Sequence, residues 1–193
     1  MSRENVHGLT VFQPHAALIV LMEKRLETRD WIPGPESGTP EGWTGTLLIV
    51  SGPDSPTHDA WMWSSFENHT IFELYDRIRQ EDPGTMNRKK QGESIFSSGC
   101  ILGAVDLVAV YAIQNLWHVN DGDSALRVFT NEHPPMPISK QEAELGIYEK
   151  GRYIWKLENP RRLPALIPFV GRRRLFEIPE EILQQIEAQG VML

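Results

Sequence analysis

Gly8-Leu9-Thr10-Val11-Phe12-Gln13-Pro14-His15-Ala16-Ala17-Leu18-Ile19, followed by Lys24-Arg25-Leu26-Glu27-Thr28-Arg29-Asp30-Trp31, is the stretch that decides how this chain reads. Residues 9–12 are short and β-prone. Pro14 suits the first position of a helix, where its missing N–H would be unpaired in any case. Ala17, Leu18, Leu21 and Met22 then predict a helix of about ten residues. Residues 26–30 alternate apolar or neutral with charged, the period of a half-exposed strand. On a regular strand Arg25, Glu27 and Arg29 share one face, and Lys24, Leu26 and Thr28 the other. Two readings follow. One is an edge strand carrying alternating salt bridges. The other is a polar pocket in which Lys24 meets an anionic or carbonyl group while Glu27 orients Arg29, and a buried lysine with a lowered pKa serves as base or nucleophile.

Outward from there, residues 33–45 form a Gly/Pro-rich loop, and Thr46-Leu47-Leu48-Ile49-Val50 is a strand buried on both faces. Residues 51–98 read as an insertion. Ser55-Pro56 starts a helix, Ile71, Tyr75 and Ile78 give a helical stripe ending at Asp82-Pro83-Gly84, and residues 87–92 form an exposed polar loop. Residues 101–113 are an apolar strand broken only by Asp106, which either points to solvent or is held by a basic partner. Gly103 allows a bulge or a close backbone approach. Residues 152–157 alternate, with Tyr153, Trp155 and Leu157 on one face and Arg152, Ile154 and Lys156 on the other. Residues 166–170 and 175–178 supply two more strands, and a last helix starts at Pro179 and stops at Gly190. Many short strands and few helices predict a single α+β domain built as a small barrel.

Composition bounds the function. At 193 residues and 40% hydrophobic, the chain makes one domain with a buried core. A single cysteine, Cys100, excludes a disulfide framework and fits a reducing compartment, so the expected location is cytoplasmic. No leader or membrane segment is expected, since the longest early apolar run, residues 16–22, falls far short of the ~20 residues a bilayer needs. No phosphate-loop, dinucleotide, His-Glu-x-x-His or nucleophile-elbow motif is present. The six histidines lack paired metal-ligand spacing, and Asp121-Gly122-Asp123 is explained as a turn, so neither metal nor cofactor is expected. The net charge is -7, yet residues 151–176 carry seven basic residues against Glu158 alone, leaving -13 elsewhere. That basic run is either a solvated face or an anion-binding surface.

The opening stretch resembles the start of the ASCH domain family, relatives of the PUA-like barrels. Lys24, Glu27 and Arg29 match the charged positions of its hallmark G-x-K-x-x-E-x-R, Met22 stands at the glycine, and His15 replaces the tryptophan common after Gln-Pro. Ser98-Gly99-Cys100-Ile101-Leu102-Gly103-Ala104-Val105-Asp106-Leu107 resembles the family's central strand, and residues 151–160 and 168–176 its closing strands. The resemblance implies a PUA-like small mixed β-barrel flanked by helices, and the helical insertion at about 51–98 has no counterpart in minimal members of the family. It implies a cleft that binds RNA or another nucleic acid. There Lys24 and Arg29 engage phosphate or base edges and Glu27 fixes Arg29. Trp31 and Tyr153 offer stacking surfaces, Trp155 being assigned to the core, while His15, Ser98 and Arg152 complete the lining. The alternative is a hydrolase acting on RNA, as a ribonuclease, or on a modified nucleoside such as N4-acetylcytidine, with Lys24 and Glu27 catalytic. The amidohydrolases of the family place a threonine three residues after the lysine, where this chain has Glu27, and Thr28 faces away on a regular strand. A third reading has the 51–98 insertion bind a protein partner.

Overall fold

The computed structural model describes residues 6–52, 69–81, 94–131 and 134–193. The expected helix start at Ser55-Pro56, the stop at residues 82–84 and the loop at residues 87–92 lie outside these. In chain order the elements are β1 (Val6–Val11), α1 (His15–Val20), β2 (Leu26–Arg29), β3 (Gly45–Ser51), α2 (His69–Glu81), β4 (Cys100–Ala112) and β5 (Asn115–Asp121). They continue with β6 (Ser124–Phe129), β7 (Met136–Ser139), α3 (Lys140–Leu145), β8 (Tyr153–Pro168), β9 (Leu175–Glu177) and α4 (Glu180–Ala188). The result is a mixed α+β fold. Among the described residues no helix is long and apolar enough to cross a membrane.

Two sheets carry the strands: six in the order β2-β8-β4-β3-β1-β9, and three in the order β5-β6-β7. β1 and β3 run parallel, while the other ladders are antiparallel. Strand β3 divides the larger sheet's two cores. Leu47 and Ile49 pack with α1 residues Ala16, Ala17, Ile19 and Val20. Leu48 and Val50 pack with Leu183 and Ile186 of α4. A strand covered on both faces reads as a continuous apolar run, as expected for residues 46–50. The ladders leave β2 and β9 as edges, so the described strands make an open, two-sheet arrangement rather than a closed barrel.

Three expectations change. The first helix is six residues long rather than about ten, and Pro14 stands before it as the N-cap. It stops early because Met22 takes a left-handed φ of 66°. The N–H of Met22 bonds the Ile19 carbonyl and that of Glu23 reaches back to Leu18, the paired bonds of a Schellman cap. The closing strands are not separate: β8 runs 16 residues through Pro160 and Pro164, and residues 166–168 are its end. Register shifts against β4 accommodate the prolines, which cannot donate to a regular ladder. Finally, the three-stranded sheet went unread, because β5 is exposed or half-exposed at every position and shows no clean alternation.

Two details at β4 resolve as the sequence allowed. Asp106 has its basic partner: Arg161 grips it bidentately at 2.6 and 3.1 Å, Asn159 donates at 3.0 Å and Thr46 at 3.2 Å. These bonds outweigh partial burial and hold the carboxyl below its usual range. Gly103 is a close approach, since a Cβ there would stand 2.5 Å from the Arg161 carbonyl oxygen and 2.8 Å from Val20.

A left-handed residue with a Cβ costs ~1–2 kcal/mol that glycine does not. Met22→Gly is therefore expected to raise unfolding free energy by about 1 kcal/mol, part of the relief being offset by the looser unfolded chain. Denaturant titration measures it, and a variant no more stable than the parent would show that Met22 bears no strain.

Candidate nucleic-acid interface

The Schellman cap also delivers the first charged side chain. The N–H groups of Glu23 and Lys24 both bond the Leu18 carbonyl, so Lys24 leaves the helix end before β2 begins. Strand alternation, which would set Lys24 opposite Glu27, therefore does not apply to it. The Lys24 ammonium lies 3.4 Å from Glu27 Oε2, and Arg29 Nε lies 2.9 Å from Glu27 Oε1. Lys24 also donates to the Leu26 carbonyl and is 1% exposed, whereas 22% of the Arg29 side chain reaches solvent. Arg29, rather than Lys24, forms the surface of this cluster.

Burial alone would raise the Glu27 pKa, but Lys24, Arg29 and His15 together hold it below the usual carboxylate range. His15, the first residue of α1, faces the same cluster. Burial, with Lys24 beside it, lowers its pKa to about 4, so it is neutral at physiological pH.

On the far side of Lys24 sits Glu142, which the sequence reading did not single out. Its Oε1 accepts the backbone N–H groups of Arg25 and Leu26, pinning the start of β2 to α3. Its Oε2 is buried without a hydrogen-bond partner, as is the Tyr148 hydroxyl. Burial raises the Glu142 pKa despite Lys24 nearby, and burial with Glu142 and Glu27 raises that of Tyr148. The Ser139-Lys140-Gln141-Glu142 stretch carries a capping-box pattern. Ser139 does cap the Glu142 N–H at 3.1 Å. The glutamate, however, reaches across to β2, over more than a hundred residues of sequence, instead of back to Ser139.

The basic closing segment meets the cluster at one point. Strand β9 covers only His7, Gly8 and Leu9 of β1. Just beyond, the Thr10 carbonyl accepts from Arg29 Nη2 at 3.2 Å, and the Thr10 hydroxyl donates to the Arg172 carbonyl at 2.8 Å. Arg172, Arg173 and Arg174 are all exposed in the turn before β9. The Arg174 guanidinium lies over the Trp31 ring at 5.7 Å and pairs with Glu36 at 2.6 Å. Arg174 thus lies beside half-buried Trp31, with Arg172 and Arg173 exposed next to it in the chain and Arg29 joined to the same segment through Thr10. Elsewhere in the segment, Lys156 is paired with Glu158 and Arg161 with Asp106.

The remaining candidates divide. Arg152 donates to the Thr28 carbonyl at 3.3 Å, and half-buried Tyr153 sits opposite Arg29 on β8. Trp155 is fully buried and meets Trp31 edge-on at 4.7 Å, a core role as expected. Ser98 is half-buried in the turn before β4 and makes no hydrogen bond to the cluster. Thr28 does face away from Glu27: its hydroxyl accepts the Ile147 N–H at 2.9 Å. Among the described residues no group of three or more metal-ligating side chains converges.

Removing one partner of a buried ion pair costs more than the pair contributes, because the other charge is stranded. Glu27→Gln strands Lys24 and is expected to destabilise by about 3 kcal/mol at neutral pH. The folded-state pKa of Glu27 is depressed, so its contribution is present above the unfolded value and lost as pH falls through the folded one. The gap between parent and variant should therefore be widest near neutrality and narrow in acid. Urea melts across that range test it, and a gap independent of pH would separate Glu27 from the ion cluster's energetics.

No protein-family model matches the chain, and no curated protein matches it. Solved structures that match over nearly its whole length include the following three. The crystal structure of ASCH from Zymomonas mobilis shares 12% identity, covering 97% of this chain and 96% of that one, with a TM-score of 0.44. A point variant of that protein gives 14% identity, 97% and 98% coverage and a TM-score of 0.44. A second variant gives 13%, 95% and 97%, and 0.43. This chain is thus similar, at 12–14% identity, to the ASCH protein of Zymomonas mobilis.

Proposed function

We propose that this chain binds single-stranded nucleic acid, RNA foremost, along the rim formed by Arg29, Trp31 and residues 172–174. The observation that carries this reading is the junction at Thr10, where one residue accepts from Arg29 through its carbonyl and holds the Arg172 backbone through its hydroxyl. It anchors the segment whose exposed Arg174 guanidinium lies beside the Trp31 ring, with Arg172 and Arg173 exposed next to it in the chain. Planar guanidinium forks match phosphate oxygens, and an aromatic side chain contributes ~1–3 kcal/mol per stacked base. Lys24 and Glu27 act behind the rim as positioning residues: Glu27 holds Arg29, and Lys24 braces that carboxylate from its other oxygen and leaves the cluster net positive. The same Arg29–Thr10 bond reaches from β2 to β1 across the open side of the six-stranded sheet, where a closed PUA-like barrel would have a ladder. The amidohydrolase alternative loses support, because Thr28 is committed to the Ile147 N–H.

Counterion release sets the test. Each phosphate contact on a single strand contributes ~0.7 to the slope of log affinity against log salt. A short labelled oligouridine should bind at low ionic strength and weaken steeply as salt rises. Replacing Arg172, Arg173 and Arg174 together by alanine should flatten that slope by about 2. These side chains are exposed, so the fold survives their loss. Unchanged affinity and slope in the triple variant would overturn the assignment of this rim.

A further inference from the structure

Phe12, the residue that follows β1, is 55% exposed. Its backbone is fixed on both sides. The Val11 carbonyl accepts the Gly52 N–H at 3.0 Å, and the Phe12 carbonyl accepts the Ala16 N–H of α1 at 3.1 Å. The ring is placed by its neighbour: a Cβ on Gly52 would stand 2.5 Å from Phe12 Cδ1 and 2.7 Å from Cε1, so the ring fills the space a side chain at residue 52 would need. Thr10 and Phe12 are two residues apart, and strand alternation sends their side chains to the same face. On that face the Thr10 hydroxyl donates to the Arg172 carbonyl at 2.8 Å, and Gly171 packs against Thr10 too closely for a Cβ to fit. At its other end the same turn sets Arg174 over Trp31. The exposed arginines therefore run from the Phe12 side of Thr10 to Trp31. Among the described residues only Arg174 of the three has an ion-pair partner, Glu36. Single exposed apolar residues are ordinary. What sets Phe12 apart is an aromatic ring held in place next to a segment with two uncompensated cations.

We propose that Phe12 is a base-stacking residue of the rim: a single strand whose phosphates meet Arg172 and Arg173 lays one of its bases on the Phe12 ring, at the opposite end of the arginine turn from Trp31. The proposal rests on the nucleic-acid reading and deepens it, by assigning a base contact where that reading has only phosphate contacts. Every base has a π-face, so an aromatic residue adds affinity for an unpaired base without choosing among bases. A ring already held by Gly52 and by the flanking backbone bonds has little freedom left to lose when a base arrives. An uncharged ring also releases no counterions. It therefore shifts affinity by the same factor at every salt concentration, whereas the arginines set the salt slope. The two contributions can be read independently in one titration series.

Phe12→Ala in the full chain should weaken binding of a short labelled oligouridine by about 5- to 150-fold, with the slope of log affinity against log salt unchanged. Phe12→Leu keeps an apolar side chain against Gly52 but has no ring, and should weaken binding in the same way. Phe12→Trp should keep the parent affinity or exceed it, which a purely steric role would not allow. An abasic oligomer of the same length carries the phosphates alone, and parent and Phe12→Ala should bind it alike. Equal oligouridine affinity in parent and Phe12→Ala overturns the proposal. So does an equal loss on the abasic oligomer, which would make Phe12 a support for the arginine turn and not a stacking surface. The variant lacking Arg172, Arg173 and Arg174 reads the rim separately. A flattened slope there with no effect at Phe12 sinks the stacking site alone, and a ring-dependent loss at Phe12 with an unchanged slope there sinks the arginine assignment alone. Oligouridine that fails to bind the parent at low salt overturns both.

Discussion

The carboxylate of Glu27 is held between two cations, 3.4 Å from Lys24 and 2.9 Å from Arg29, and the join between β2 and β1 is organised around it. A fully buried ammonium is tolerated only with a counter-charge and hydrogen bonds, and Lys24 has Glu27 and the Leu26 carbonyl. Glu27 in turn fixes the Arg29 guanidinium, leaving its Nη2 to reach the Thr10 carbonyl on β1. That bond spans the gap between an edge of the six-stranded sheet and the strand beside the other edge. The short β9 is part of the same arrangement: had it extended one residue further along β1, the Thr10 position would lie within the ladder. The ion cluster therefore ties β2 to β1 through the same atoms that fix Arg29 at the surface.

Much of this was legible where local chemistry alone decides. Strand β3 was readable because four successive apolar residues have no amphipathic alternative, and α4 because Pro179 and two glutamates mark its first turn. The Lys24, Glu27 and Arg29 set was visible as a charged pattern, but its geometry was not. Strand periodicity assigns Lys24 to the wrong face because the periodicity begins at Leu26, two residues later. The reason lies at Met22, whose left-handed backbone ends the helix and resets the chain direction. A methionine gives no sequence signal of that conformation, where a glycine would.

Glu142 marks a different limit. The Ser139-x-x-Glu142 pattern announces a helix start, and the helix does start there. The usual inference would close the capping box locally. Instead the carboxylate satisfies two backbone donors at the mouth of β2, so α3 and the Lys24 loop are locked together. Nothing in the pattern distinguishes a local from a long-range acceptor; only the fold does. The same holds for β8, whose prolines predict interruptions that register shifts against β4 absorb.

Charge counting along the sequence has the same weakness, and its correction sharpens the functional reading. Residues 151–176 carry a local excess of six positive charges, which as a total says nothing of a binding surface. In the fold Arg161 is consumed by Asp106, Lys156 by Glu158, and Arg152 is turned to the Thr28 carbonyl. Arg174 is held between Glu36 and the face of Trp31. An exposed pair such as Glu36 with Arg174 contributes at most ~1 kcal/mol and is screened by salt, so a phosphate competes with Glu36 on nearly equal terms. Buried or multidentate pairs such as Arg161 with Asp106 do not yield in this way. The segment thus separates into arginines that build the sheet and arginines available to an anion. Those available follow one another in the turn that sets Arg174 beside Trp31, in a chain that as a whole is acidic and would otherwise repel a polyanion.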